Sequence, residues 1–323
     1  MLYPLTFRPI PKKRIWGGQK LHDIYQKPFP KDRPIGESWE ISDRPGDISQ
    51  IANGPHRGKD LHWLVENYPA EVLGSAAPPK GRFPLLVKIL DARETLSLQV
   101  HPPAELAGSL GGEPKTEMWY ITQAEPEARL YVGLKRGTDR LQFEQLLKQG
   151  RVEQCFHRVS VAPGDTMFLP SGRVHALGAG LLLIEIQQNS DTTYRVFDWN
   201  RVGMDGKARE LHVAESLRCI DFGDIEPSLV SAKATESGSV AVRKLVDDPL
   251  FKVEELVFSS GESLAVAGGE MRIFGTVAGR VKVTGGNEQV EIRSGQFCLL
   301  PASVRAELRP EPNSKILQVY VGN

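Results

Sequence analysis

Cysteine is scarce: Cys155, Cys219 and Cys298 are the only three in 323 residues. They are odd in number, far apart and form no CxxC pair, which excludes a disulfide framework and a cysteine-based zinc site. Long apolar runs are missing too. The longest, Ala176 to Ile184, stops at Glu185, well short of the ~20 residues that cross a bilayer. The opening MLYPLTFRPIPKKR has no apolar core of the kind a secretion signal carries. Nor is there an excess of either charge, since forty Lys and Arg balance forty Asp and Glu. A neutral chain lacks the basic surface that nucleic acid or an anionic membrane requires. The expectation is a soluble, cytoplasmic protein with neither kind of partner, in which a local basic pocket for a phosphate is still allowed.

Glycine and proline, by contrast, are plentiful, at 31 and 23 residues. They punctuate short apolar runs such as PLLVKIL, LYVGL, TMFLP, GLLLIEI, KVEELVF, GRVKV and QFCLLP. Many short strands separated by turn residues predict a mainly β sandwich or barrel. Helical spacing occurs over Asp60 to Asn67, over Thr138 to Gln149 with Thr138 as the expected cap, and over Ala214 to Ile220. Ile225 to Ser239, IEPSLVSAKATESGS, is small, polar and turn-rich and reads as a linker between residues 1–230 and 238–323.

One pattern occurs twice. GDTMFLPSGRVH, Gly164 to His175, has a Gly, then a Pro, then Gly172 and His175; GQFCLLPASVRA, Gly295 to Ala306, keeps the Gly and the Pro at the same offsets. Ser303 and Ala306 stand where the first copy has Gly172 and His175. A flexible glycine entering a strand and a proline leaving it suit a jelly-roll corner. The pattern resembles the second signature of the cupins, β-barrels that often hold a metal. Two cupin-like jelly-roll barrels with a few short helices are therefore expected, the second degenerate and without the histidine. There is no histidine after His212, so one metal per chain is expected, in the first barrel.

LSLQVH, Leu96 to His101, alternates strictly, with Leu96, Leu98 and Val100 on one face and Ser97, Gln99 and His101 on the other. A polar face is ordinarily a solvated one. Here the preceding PLLVKIL is apolar throughout except for Lys88, and KTEMWYI puts Lys115 and Glu117 on one face with Trp119. Charges in interior strands are costly unless paired or bound to metal, so these strands imply a polar lumen. Gln99, His101, Glu117 and His175 form a nitrogen and oxygen donor set that suits zinc, with manganese, iron or cobalt as alternatives. A set without thiolate keeps positive charge on the ion and coordination open to substrate, which favours a catalytic role. Further along, GLLLIEI and the polar-aromatic stretch after Asn189-Ser190-Asp191 read as a hairpin carrying Glu185 and Arg195.

IWGG at Ile15, GESWEIS at Gly36, PLLVKILDA at Pro84, LSLQVHP at Leu96, KTEMWY at Lys115 and EIQQNSDTTYRVFDWNR at Glu185 resemble, in order, the type I mannose-6-phosphate isomerases in their short bacterial form. The resemblance implies zinc on Gln99, His101, Glu117 and His175, with Arg195 as the catalytic arginine. It also implies that Lys88 and Ser97 contact the substrate phosphate, and that Lys115 and Glu185 line the reacting end as candidates for moving the proton. The implied partner is a phosphosugar and the implied state a monomer or homodimer. A sugar-binding cupin without turnover would not need the metal set together with Arg195, and an iron oxygenase would not need Lys88 and Arg195.

Overall fold

The computed structural model describes residues 1–75, 81–202 and 206–322. The chain is mainly β with six short α-helices among the described residues, and it divides into two compact units. The first comprises Met1–Ile10, Trp39–Lys88 and Ser231–Asn323; the second comprises Pro11–Ser38 and Ile89–Val230. The division runs through three strands, Ile10–Gly18, Ile35–Ile41 and Leu85–Ala92.

A six-stranded sheet runs in the order Ile10–Gly18, Ile35–Ile41, Leu85–Ala92, Leu181–Gln188, Glu117–Ala124, Thr166–Leu169. A five-stranded sheet runs Tyr194–Phe197, Leu98–Val100, His175–Leu177, Arg129–Leu134, Phe156–Ser160. Leu90, Trp119, Ile121, Met167 and Leu183 of the larger sheet share one core with Leu130, Val132 and Leu177 of the smaller. The smaller sheet's other face is apolar as well. There Leu98, Val100, Val174 and Ala176 pack with Phe143, Val152, Cys219 and Ile220 from helical segments. Burial on both faces explains why these strands read as near-continuous hydrophobic runs, and it makes a charged side chain on the inner face informative. Leu96 lies just before its strand and joins the inner core, apart from Leu98 and Val100.

The repeat in the sequence is a repeat in the fold. Eight strands from Leu85 to Gln188 and eight from Phe251 to Val321 pair alike: first, eighth, third, sixth in one sheet and second, seventh, fourth, fifth in the other. Gly164 and Gly295 both have positive φ, 93° and 76°, where a side chain would be strained, so both copies need glycine at that corner. In the first unit, Phe251, Val253, Phe258, Phe274 and Leu308 are buried. The chain's beginning joins them: Leu5 exchanges two backbone hydrogen bonds with Leu299, and Ala302 N–H donates to Val72.

Three local expectations change. The helix after Thr138 spans Arg140–Lys148 and is capped by Asp139, whose carboxylate accepts the Gln142 N–H; a carboxylate also meets the helix dipole's positive end. Thr235–Ser237, at the end of the expected linker, is a strand paired with Val240 to Val242. The expected hairpin carrying Glu185 and Arg195 does not form. Leu181–Gln188 pairs with Glu117–Ala124, whereas Tyr194–Phe197 pairs with Leu98–Val100 in the other sheet. The turn residues mark where the chain reverses but do not choose the partner strand, and the chain changes sheets there. The helices Leu61–Asn67, capped by Asp60, and Val213–Cys219 fall within one residue of expectation.

Candidate metal centre and catalytic residues

Strand parity brings four of the named side chains together. Glu117 leads its strand on the face shared with Trp119 and Ile121, while His175 pairs in register with Gln99 and Val132 on the smaller sheet. His101 follows the strand Leu98–Val100 and is locked in place by Gly172, whose N–H donates to the His101 carbonyl at 2.9 Å. His101, Glu117 and His175 offer ligand atoms that all lie within 4.8 Å of one another.

The hydrogen atoms are placed by the backbone. His101 Nδ1 lies 2.8 Å from the Thr192 carbonyl and His175 Nδ1 lies 2.9 Å from the Arg173 carbonyl. A carbonyl only accepts, so both Nδ1 atoms carry the proton and both Nε2 atoms present a lone pair. Those lone pairs face Glu117, at 3.5 Å from Oε2 for His101 and 3.2 Å from Oε1 for His175. Burial lowers both imidazole pKa values, His101 to about 4 with the Lys115 charge adding to the effect, so both rings are neutral at physiological pH. The contacts are therefore acceptor against acceptor, and His101 Nε2 has no hydrogen-bond partner among the described residues. Leaving buried acceptors unsatisfied costs about 1–3 kcal/mol each. A cation between them removes that cost, and the second hydrogen bond on each imidazole is the support that metal-binding histidines characteristically have. Gln99 places its amide nitrogen 3.3 Å from His175 Nε2, and a half-turn of that amide presents its oxygen instead. The residues fit a divalent ion of the zinc class.

Lys115 Nζ pairs with Glu117 Oε2 at 2.7 Å and lies 4.0 Å from Glu185 Oε1. Burial opposes its charge, but the Glu117 and Glu185 carboxylates outweigh it and raise its pKa. Burial likewise works against the Glu117 carboxylate, yet the Lys115 ammonium holds its pKa well below the usual carboxylate range. Formally, two carboxylates against one ammonium leave one negative charge among residues that expose no more than 4% of their surface, which further favours a bound cation. Glu185 Oε2 accepts the indole N–H of Trp119 at 3.0 Å.

Arg195 pairs in register with Gln99 and so stands on the same face of the neighbouring strand. Its guanidinium donates to the Glu210 carbonyl at 2.9 Å, and burial lowers its pKa. Ser97 is buried just ahead of Gln99. Lys88 falls in the other compact unit, buried, with its ammonium 5.2 Å from the centre of the Trp39 ring. Sequence reasoning passed over two residues. Trp119, which shares a face with Lys115 and Glu117, and Gln187, in register with Glu117, carry no role in the sequence reading. Gln187 is fully buried and gives its amide hydrogens to the carbonyls of Gln188 and Ser190. Its alternation with Glu185 was the signal that could have found it.

The sequence matches the family described as phosphomannose isomerase type I, catalytic domain, over residues 5–127. It is 35% identical to a probable mannose-6-phosphate isomerase of Bacillus subtilis over 94% of each chain. It is 32% identical to a mannose-6-phosphate isomerase of Streptococcus mutans over 95% of each chain. The crystal structure of the mannose 6-phosphate isomerase from Bacillus subtilis matches with a TM-score of 0.90 at 30% identity, covering 99% of this chain and 100% of that one. A zinc-bound mannose 6-phosphate isomerase, 16% identical, shares the fold with a TM-score of 0.75 over 99% of this chain and 100% of that one. The likeness runs the length of the chains compared, and the chain belongs to the type I mannose-6-phosphate isomerases.

Proposed function

We propose that this isomerase interconverts mannose 6-phosphate and fructose 6-phosphate through an enediol, with one zinc ion per chain held by Gln99, His101, Glu117 and His175. The observation that carries the metal is the convergence of two neutral imidazole lone pairs on the buried Glu117 carboxylate. Zinc is chosen over other divalent ions by the donor set and by the zinc-bound relative. When bound there, the ion would polarise substrate oxygens as a Lewis acid.

The chain's own residues supply the rest. Isomerisation removes the proton from C2 of the open-chain aldose and delivers one to C1, and negative charge grows on the oxygens between. Lys115 and Glu185 are both buried at the metal set, but Lys115 is committed to Glu117 at 2.7 Å. Glu185 is therefore assigned the proton transfer, and Lys115 the stabilising of charge beside it. Arg195, on the Gln99 face, would stabilise the enediolate charge. Lys88 and Ser97, from the family motifs PLLVKIL and LSLQVHP, would contact the phosphate, one as a cationic donor and the other as a neutral one. Holding the phosphate retains the opened sugar while the proton moves. This assigns chemistry to residues 1–230 and leaves 238–323 as a degenerate cupin-like domain.

A direct assay of fructose 6-phosphate conversion in deuterium oxide tests the reading. Mannose 6-phosphate carrying solvent deuterium at C2 is the expected product. Binding of the sugar without conversion would indicate a sugar-sensing cupin and overturn the assignment.

A further inference from the structure

Trp119 stands directly opposite Glu185 on neighbouring antiparallel strands, a placement that brings Cβ atoms to within ~5 Å. Its indole N–H donates to Glu185 Oε2 at 3.0 Å, while the other carboxylate oxygen faces Lys115 at 4.0 Å. The same ring meets His175 edge-on, with centroids 5.2 Å apart at 88°. Its neighbours in this core are chiefly leucine, isoleucine, valine and alanine. A phenylalanine would supply comparable packing, so what tryptophan adds is one donor aimed into the site.

The second copy of the fold makes the same point by contrast. There Phe274 occupies the register of Trp119, since Met167 pairs with Trp119 as the repeat's Cys298 pairs with Phe274. Gln318 lies opposite Phe274 where Glu185 lies opposite Trp119. Where the carboxylate is lost the indole is lost with it, although an aromatic ring is kept for packing. We propose that Trp119 is a positioning residue for the isomerisation, fixing through its indole N–H the orientation in which Glu185 moves the proton. The proposal rests on the reading of Glu185 given above.

Trp119→Phe keeps the ring and deletes the donor. It should lower kcat on the order of tenfold, because a misaligned proton-transfer group loses rate steeply, while KM for fructose 6-phosphate and zinc content stay at wild-type levels. In a Glu185→Gln background the same change should cost no more than about twofold, the two residues acting as one unit. Equal losses in both backgrounds, an unchanged kcat, or a fall in zinc content would each overturn the proposal. Wild-type kcat in Glu185→Gln alone would instead refute the reading of Glu185. A spectroscopic measurement serves if Trp119→Phe does not fold. Of the five tryptophans, one should show its indole N–H resonance displaced when Glu185→Gln is introduced, and no displacement would contradict the contact.

Discussion

Glu117 and Arg272 hold the same position in the two copies of the strand pattern. Leu169 and Gln187 flank Glu117 in register, as Leu300 and Tyr320 flank Arg272. In the second copy the buried anion has become a cation that stacks on Tyr320, at 5.4 Å, and donates to the Ala267 carbonyl at 2.8 Å. Ala306 stands at the position of His175. An arginine in place of a carboxylate and a methyl in place of an imidazole remove the donors that a transition metal needs. Elemental analysis should find one zinc per chain, and none after His175→Ala. Two per chain, or one retained tightly by that variant, would show that the second copy binds metal after all.

The two halves of the metal set should fail differently. His101→Ala deletes a neutral ligand and should abolish zinc binding and turnover while the fold survives. Glu117→Ala should abolish both and also destabilise the chain by about 3–5 kcal/mol, because Lys115 loses its 2.7 Å partner inside the protein. Metal analysis with thermal unfolding of both variants checks this. Equal stability of the two would mean that the Lys115–Glu117 pair contributes little.

Much of this site was legible from strand parity. Gln99, His101 and Glu117 were picked out because polar side chains alternated with residues that only a buried strand would carry, and His175 because it closed a specific turn pattern. Both depend on local spacing, which a sequence displays directly. Pairing is a different matter. The expected hairpin dissolved because Asn189-Ser190-Asp191 signals a reversal without naming the next partner, and Trp119 was missed because its value depends on which residue of a strand more than 60 positions away lies across from it. Thr138 is the expected cap and Asp139 the actual one, because only the backbone's path decides which of two neighbouring cap-type residues faces the helix end.

Arg195→Ala should leave zinc content intact and lower kcat by about 10²-fold, the usual cost of deleting one donor that stabilises transition-state charge. Steady-state kinetics beside metal analysis separates this from a structural role. A change of only a few-fold would mean that its tie to the Glu210 carbonyl, at 2.9 Å, is its main purpose.

Lys88→Ala should act on KM. Losing a charge-assisted donor to phosphate should weaken fructose 6-phosphate binding by about tenfold or more and reduce the preference for phosphorylated over free sugar. Comparing kcat/KM for mannose 6-phosphate and mannose reads out that preference. An unaltered ratio would assign Lys88 a structural role, such as its contact with Trp39, instead of phosphate binding.

Titrating zinc into the chelator-stripped protein, with isomerase activity followed at each addition, bears most directly on the buried His101, Glu117 and His175 cluster as the seat of catalysis. Activity should be absent at the start, rise in proportion to zinc and stop rising at one equivalent per chain. Full activity in the stripped protein, or a rise that continues to a second equivalent, would contradict the account.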